Sequence, residues 1–160
     1  MSIFKKVVEA HAQAKTQAEH TAASAALART EAEDAFAKEF AKCVDEIAKP
    51  IFEKFATDAQ EHGFPAEVAH ARDGKANPMY SIKLIPSKGA AFGANASEEV
   101  AYVLKGKVSD QKVEHASYFD QRPGRNGIKK AAFGVGSINE SVLERELGEF
   151  LSAALKARAA

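Results

Sequence analysis

Small and apolar side chains recur at alternating steps of three and four through Phe4, Val7, His11, Ala14, Ala18, Thr21, Ala25, Ala28, Ala32 and Ala35. That spacing is the period of a helix seam. Residues 1–62 contain no glycine and a single proline, Pro50, so the pattern predicts one very long helix. The seam changes character at Phe36. From there Phe36, Phe40, Cys43, Val44, Ile47, Ile51, Phe52 and Phe55 form a broad, bulky stripe, which needs a large flat acceptor such as a sheet. Pro50 lacks an N–H, and its ring crowds the carbonyl of Glu46, so a kink or break is expected there. Gly63 and Pro65 end the helix. The chain thus divides into an alanine-rich helical arm, 1–35, and an α+β domain, 36–160.

The middle of the chain alternates with a period of two. Residues 66–72 and 75–85 flank Asp73-Gly74, a two-residue hairpin signal, with Tyr80, Ile82 and Leu84 on one face. Pro78 puts part of the second run at an edge or bulge. A two-residue turn sets Glu67 opposite Tyr80, which leaves Val68 on the other face from Tyr80, a conflict in register. Residues 99–107 and 111–119 make a second hairpin in which Val100, Tyr102 and Leu104 share a face with Val113 and Phe119. After a loop at 120–127, residues 129–135 form the last strand. A terminal helix begins near Ser137 or Asn139, where Ser137-Ile-Asn-Glu140 fits a capping box. The predicted fold is α+β and two-layered: a long N-terminal helix, about five antiparallel strands, and a C-terminal helix packed on the sheet.

Charge and cysteine content narrow the function classes. Lysine plus arginine equals aspartate plus glutamate, 22 each, so no long-range field draws the chain to nucleic acid or an anionic membrane. The single cysteine, Cys43, excludes an intramolecular disulfide and a multi-cysteine zinc site. No apolar run reaches membrane-spanning length and the start lacks a signal-peptide core, so the expected location is the cytoplasm with no membrane partner.

Candidate chemistry is sparse. His11 and His20 are nine residues apart, too far for one helical metal site. His70 and His115 lie on different strands and meet only if those strands are neighbours. Cys43 sits on the apolar stripe, where a thiol acts as a small hydrophobe. Gly89-Ala-Ala-Phe-Gly93 lacks the Lys-Ser/Thr ending of a phosphate loop, and Gly134-Val-Gly136 lacks the third glycine of a dinucleotide fingerprint. Gly136-Ser137, leading into a helix, is a weaker place for an anion. No catalytic residue, cofactor or metal is assigned.

Two functional readings follow. In the first, the chain is a non-enzymatic interaction or scaffold protein. The alanine seam (Phe4, Val7, Ala14, Ala18, Thr21, Ala25, Ala28, Ala32) lets helices approach closely, as a homodimer or on a helical protein partner. In the alternative, Arg122, Arg125, Lys129 and Lys130 in the basic loop 122–130, with Lys105, Lys107 and Lys112 near a hairpin tip, bind an anion or nucleic acid, with Tyr102, Tyr118 or Phe119 offering stacking surfaces. An enzyme would instead need a pocket that gathers His70, His115 or Tyr102 with polar partners.

Overall fold

Helices and strands that each carry one apolar face bury both by stacking as layers. The computed structural model, which describes residues 30–93, 98–125 and 127–159, has this form. Helix α1 (Glu31–Cys43), a π turn (Val44–Ala48) and helix α2 (Lys49–Glu61) follow one another directly. Five strands come next: β1 (Ala66–Arg72), β2 (Pro78–Leu84), β3 (Val100–Lys107), β4 (Lys112–Asp120) and β5 (Gly127–Phe133). A 3-10 turn (Val135–Ser137) leads into helix α3 (Glu140–Ala159). The strands pair in chain order, all antiparallel. The α+β architecture read from the sequence is therefore the architecture observed.

The predicted helix, unbroken through residue 62, is interrupted at Thr30, and α1 begins after it. Thr30 is extended, and its hydroxyl accepts the backbone N–H of Glu33 at 3.1 Å. This cap satisfies a donor that helical continuation would otherwise occupy, and Glu31, Glu33 and Asp34 place negative charge at the positive helix end. Pro50 does not break the helix. The turn before it widens instead, with the Lys49 N–H reaching back to Val44 O, and Pro50 then falls in the first turn of α2, where no N–H is needed. At the far end Phe64 N–H bonds Ala59 O and Gly63 N–H bonds Gln60 O, both at 2.9 Å, closing α2 in a Schellman motif.

The β1–β2 register corrects the two-residue turn. Val68 pairs with Ile82 and His70 with Tyr80, so the connection runs over residues 73–77. The Asp73 carboxylate holds this longer loop, accepting the N–H groups of Lys75 and Asn77 at 2.9 Å and the Asn77 amide at 3.0 Å. These bonds, led by those from Asn77, bring its pKa down to about 2. With this register Val68 and Tyr80 share a face, and the conflict disappears.

The inward face carries Tyr80, Ile82, Leu84, Val100, Tyr102, Leu104 and Val113, all buried. Helix α2 covers the β1–β2 side and α3 the β3–β4 side. A line of buried residues at every fourth position, Phe36, Phe40, Val44, Ala48, Phe52 and Ala56, seals the N-terminal helices to the sheet. Among the described residues no helix is long and apolar enough to cross a membrane.

Candidate functional site

The second helix layer leaves a groove between α2 and α3. Its two adjoining clefts, of about 270 and 320 Å³, share Phe55 and Asp58. One is walled by Ile51 and Leu147 with Gly148. The other is walled by Phe64, Leu84, Leu151 and Leu155, and Leu155 is 40% exposed. Where a Cβ would stand on Gly148 there is nothing within 4 Å. Glycine inside a helix costs about 1 kcal/mol relative to alanine, and here it leaves the wall of the groove low. Lys54, Asp58 and Glu144 edge the apolar strip with charge.

The groove is reached by assembling residues far apart in the chain. The helical stripe beginning at Phe36 turns Ile51 and Phe55 to its flank, where both are half-buried rather than pressed on the sheet. On α3 Leu143, Leu147, Phe150 and Ala154 face the sheet, while Leu151 and Leu155 look across toward α2.

Beneath α3 lies a buried polar chain that the sequence did not assemble. Tyr102 Oη is 2.7 Å from His115 Nδ1, and His115 Nε2 is 2.8 Å from Ser137 Oγ. The Ser137 hydroxyl donates to Gly134 O at 2.8 Å. Its one proton is thereby committed, so Ser137 accepts from the Nε2–H, and Nδ1 of the neutral ring accepts from Tyr102. His115 is 4% exposed, and burial pushes its pKa down, opposed in part by Glu146. The same burial pushes the Tyr102 phenol up. A serine beside a histidine suggests a nucleophile and its base. Here the histidine carries its proton on the nitrogen facing the serine, so the chain ties the 3-10 turn to β4 and β3 rather than activating an oxygen.

Ser137 is therefore not the helix cap. Asn139 is: its Oδ1 accepts the Val142 N–H at 2.9 Å, and its amide donates to Gly136 O. His70 and His115 both face inward, but β2 and β3 stand between their strands, a separation of about 14 Å. They form no pair. The Cys43 thiol lies 3.6 Å from a Glu39 carboxylate oxygen, and burial followed by that carboxylate raises its pKa, which lowers its reactivity. Among the described residues no three His, Cys, Asp or Glu side chains cluster as metal ligands.

The basic loop is dispersed. Arg122 is held bidentately by Asp120, Nε to Oδ1 and Nη2 to Oδ2 at 2.9 Å each, and also donates to Ala157 O at 2.6 Å. Lys129 points inward to Glu149 at 3.4 Å. Lys130 is on the opposite face, 5.4 Å from the ring centre of Tyr118. Arg125 is exposed. At the hairpin tip Lys105 pairs with Asp73, and Lys107 with Asp110 and Glu114. The structure does not bring these cations into one patch. Of the predicted interface residues, Ala32 is exposed in the first turn of α1; Phe4, Val7, Ala14, Ala18, Thr21, Ala25 and Ala28 lie outside the described residues. The chain matches no protein-family model, no curated protein and no solved structure.

Proposed function

We propose that this chain is a non-enzymatic interaction protein that self-associates as a homodimer, the alanine-seamed arm of one copy lying in the α2–α3 groove of the other. The observation that carries the reading is the open, apolar groove with Gly148 in its wall. Helix-in-groove recognition needs an apolar channel and a partner with a narrow apolar stripe. A seam of Ala14, Ala18, Ala25 and Ala28 is narrow, and its small side chains let the docked helix approach a wall lowered by glycine. From Glu144 to Leu155 the groove follows α3 for about 16 Å, or three turns of a docked helix. The balanced charge and lone cysteine accompany a cytoplasmic location in this reading.

Gel filtration and sedimentation of the full chain test it. Ala18→Glu with Ala25→Glu should convert the dimer to a monomer with unchanged circular dichroism, and Gly148→Leu, which fills the groove from the other side, should do the same. A wild-type chain that sediments as a monomer at every concentration contradicts the proposal.

A further inference from the structure

The sheet has two edges, and they are built differently. β5 carries adjacent lysines, Lys129 and Lys130, on its two faces, and it pairs with β4 through a register shift between Tyr118 and Asp120. Both devices discourage a further strand. β1 has neither: its seven residues pair with β2 in one unbroken register, and it contains no lysine or proline. Antiparallel pairs alternate between those that exchange both backbone bonds and those that exchange none. Pro65 O accepts the Ile85 N–H at 3.0 Å, and Asn77 O accepts the Asp73 N–H at 3.1 Å. The exchange therefore falls at odd positions, so Glu67, Ala69 and Ala71 bond β2, while Ala66, Val68, His70 and Arg72 turn their N–H and C=O groups out of the sheet. The Gln60 amide donates to Ala66 O at 2.7 Å. Val68, His70 and Arg72 have no backbone partner on that side among the described residues.

A cleft of about 330 Å³ adjoins this open stretch. It lies between α1 with its π turn and the end of β1, walled by Ala37, Phe40, Ala41 and Val44 on one side and by His70 and Arg72 on the other. The edge-facing residues lean their side chains toward the helical layer: Val68 packs on the core, and the His70 ring lies 4.7 Å from that of Tyr80. A strand added about 4.8 Å beyond β1 sets its residues opposite His70 and Arg72 on that same face, beside the cleft. On the other face Ala69 and Ala71, both exposed, leave room for large side chains.

We propose that the β1 edge and this cleft bind an extended peptide segment of another protein by antiparallel strand addition, one apolar side chain of the segment seated against Ala37, Phe40 and Ala41. Free N–H and C=O groups at every second residue match an extended backbone, and the adjoining cleft gives one alternate side chain its seat. A second copy's β1 fits less well. The register that joins all three open residues, Val68 to Arg72 and His70 to itself, sets Glu67 of each copy opposite Asp73 of the other, and like charges so placed are unfavourable. A shift of two residues one way meets Ala66 O, already taken by Gln60; the other way leaves Val68 beyond the end of the partner strand. The site is independent of the association reading, since the cleft and the α2–α3 groove share no residue.

The test is a titration of the isotope-labelled full chain with the blocked peptide acetyl-Lys-Thr-Val-Thr-Val-Thr-Lys-amide, followed by backbone amide resonances. Saturable shifts are expected at residues 66–72, 37 and 41. With peptide at about ten times Kd, hydrogen exchange of the Val68 and His70 amides should slow about tenfold. N-methylation of the two valines, whose N–H groups face β1 when their side chains face the cleft, should weaken binding about tenfold or more. N-methylation of the threonines, whose N–H groups face away, should leave it unchanged. His70→Pro removes one outward donor, a change an edge strand tolerates, and Ala41→Glu sets a charge in the cleft from an exposed helix position. Each should weaken binding with unchanged circular dichroism. Ala69→Pro removes a donor to β2 instead and should lower the melting midpoint more than His70→Pro does; the reverse order overturns the assignment of edge groups. No saturable shift, or equal binding of the two N-methylated peptides, overturns the proposal. Protection of Val68 and His70 that grows with chain concentration in the absence of peptide gives the edge to a second copy and overturns it too.

Discussion

Removing the Tyr102 hydroxyl tests the buried chain beneath α3. Tyr102→Phe keeps the ring, which packs against Phe52 at 6.1 Å and Phe150 at 6.0 Å, and deletes only the donor lying 2.7 Å from His115 Nδ1. Tyr102 and His115 are 1% and 4% exposed, so water does not replace the lost partner. An acceptor stranded this way costs about 1–3 kcal/mol. A loss near 2 kcal/mol in a chain of 160 residues lowers the melting midpoint by roughly 4–8 °C. Urea unfolding of Tyr102→Phe, Ser137→Ala and the double variant should show Ser137→Ala as the milder, since Ser137 is half-buried. The two losses should not add, because both act on one imidazole. A Tyr102→Phe variant within about 0.3 kcal/mol of wild type would refute the reasoning, being indistinguishable from additivity error.

Further outcomes follow from the same geometry. His115 is held neutral by burial, so below about pH 6.5 the unfolded chain binds a proton that the fold does not, and stability should fall as pH drops; His115→Phe should flatten that limb of a pH–stability profile. At the alkaline end burial pushes the Tyr80 phenol up to about 12 and raises Tyr102 also. The unfolded chain then releases protons first, above about pH 10, and stability should fall there. Gly127→Ala should unfold or strongly destabilise the β4–β5 pair, measured by thermal melting, because a Cβ there would stand within 3 Å of the Asp120 backbone. Asn139→Ala should cost about 1 kcal/mol in chemical denaturation through loss of the α3 cap, whereas Ser137→Ala should leave that cap intact.

Much of the fold was legible because burial imposes a period. Tyr80, Ile82 and Leu84 alternate with Ser81 and Lys83, which gives β2 one apolar face. The π turn is written in the spacing of the buried residues. Phe36, Phe40, Val44, Ala48, Phe52 and Ala56 are spaced by four throughout, and on an α-helix each such step drifts the stripe about 40°. A line that stays on the sheet at this spacing needs a widened turn, and the π turn supplies it. Thr30 and Glu33 likewise have capping-box spacing, a local stop signal that the absence of glycine does not cancel. Asp73-Gly74 has the composition of a two-residue turn, but the Asp73 carboxylate closes a longer one over residues 73–77.

The polar chain was hidden for a different reason. The alternation places Tyr102 on the apolar face of its hairpin, but Ser137 fits a capping box and by that pattern belongs to the helix. Two residues competed for one cap, and Asn139 holds it because Ser137 is engaged by His115. The groove between α2 and α3 depends on how far apart two helices settle on a sheet, which no local pattern specifies. Leu151 and Leu155 are apolar positions of α3, and only the position of α2 beside them makes that stretch a groove wall.

The arm-in-groove association is tested most directly between two differently labelled copies. A paramagnetic label on Ser24→Cys in an unenriched chain carrying Cys43→Ser is mixed with an isotope-labelled chain, and the amide resonances of the second are recorded. The account predicts selective broadening at Gly148, Leu151 and Leu155, together with a mass twice the 17.1 kDa of one chain. Unbroadened groove resonances in a chain of single mass would contradict it.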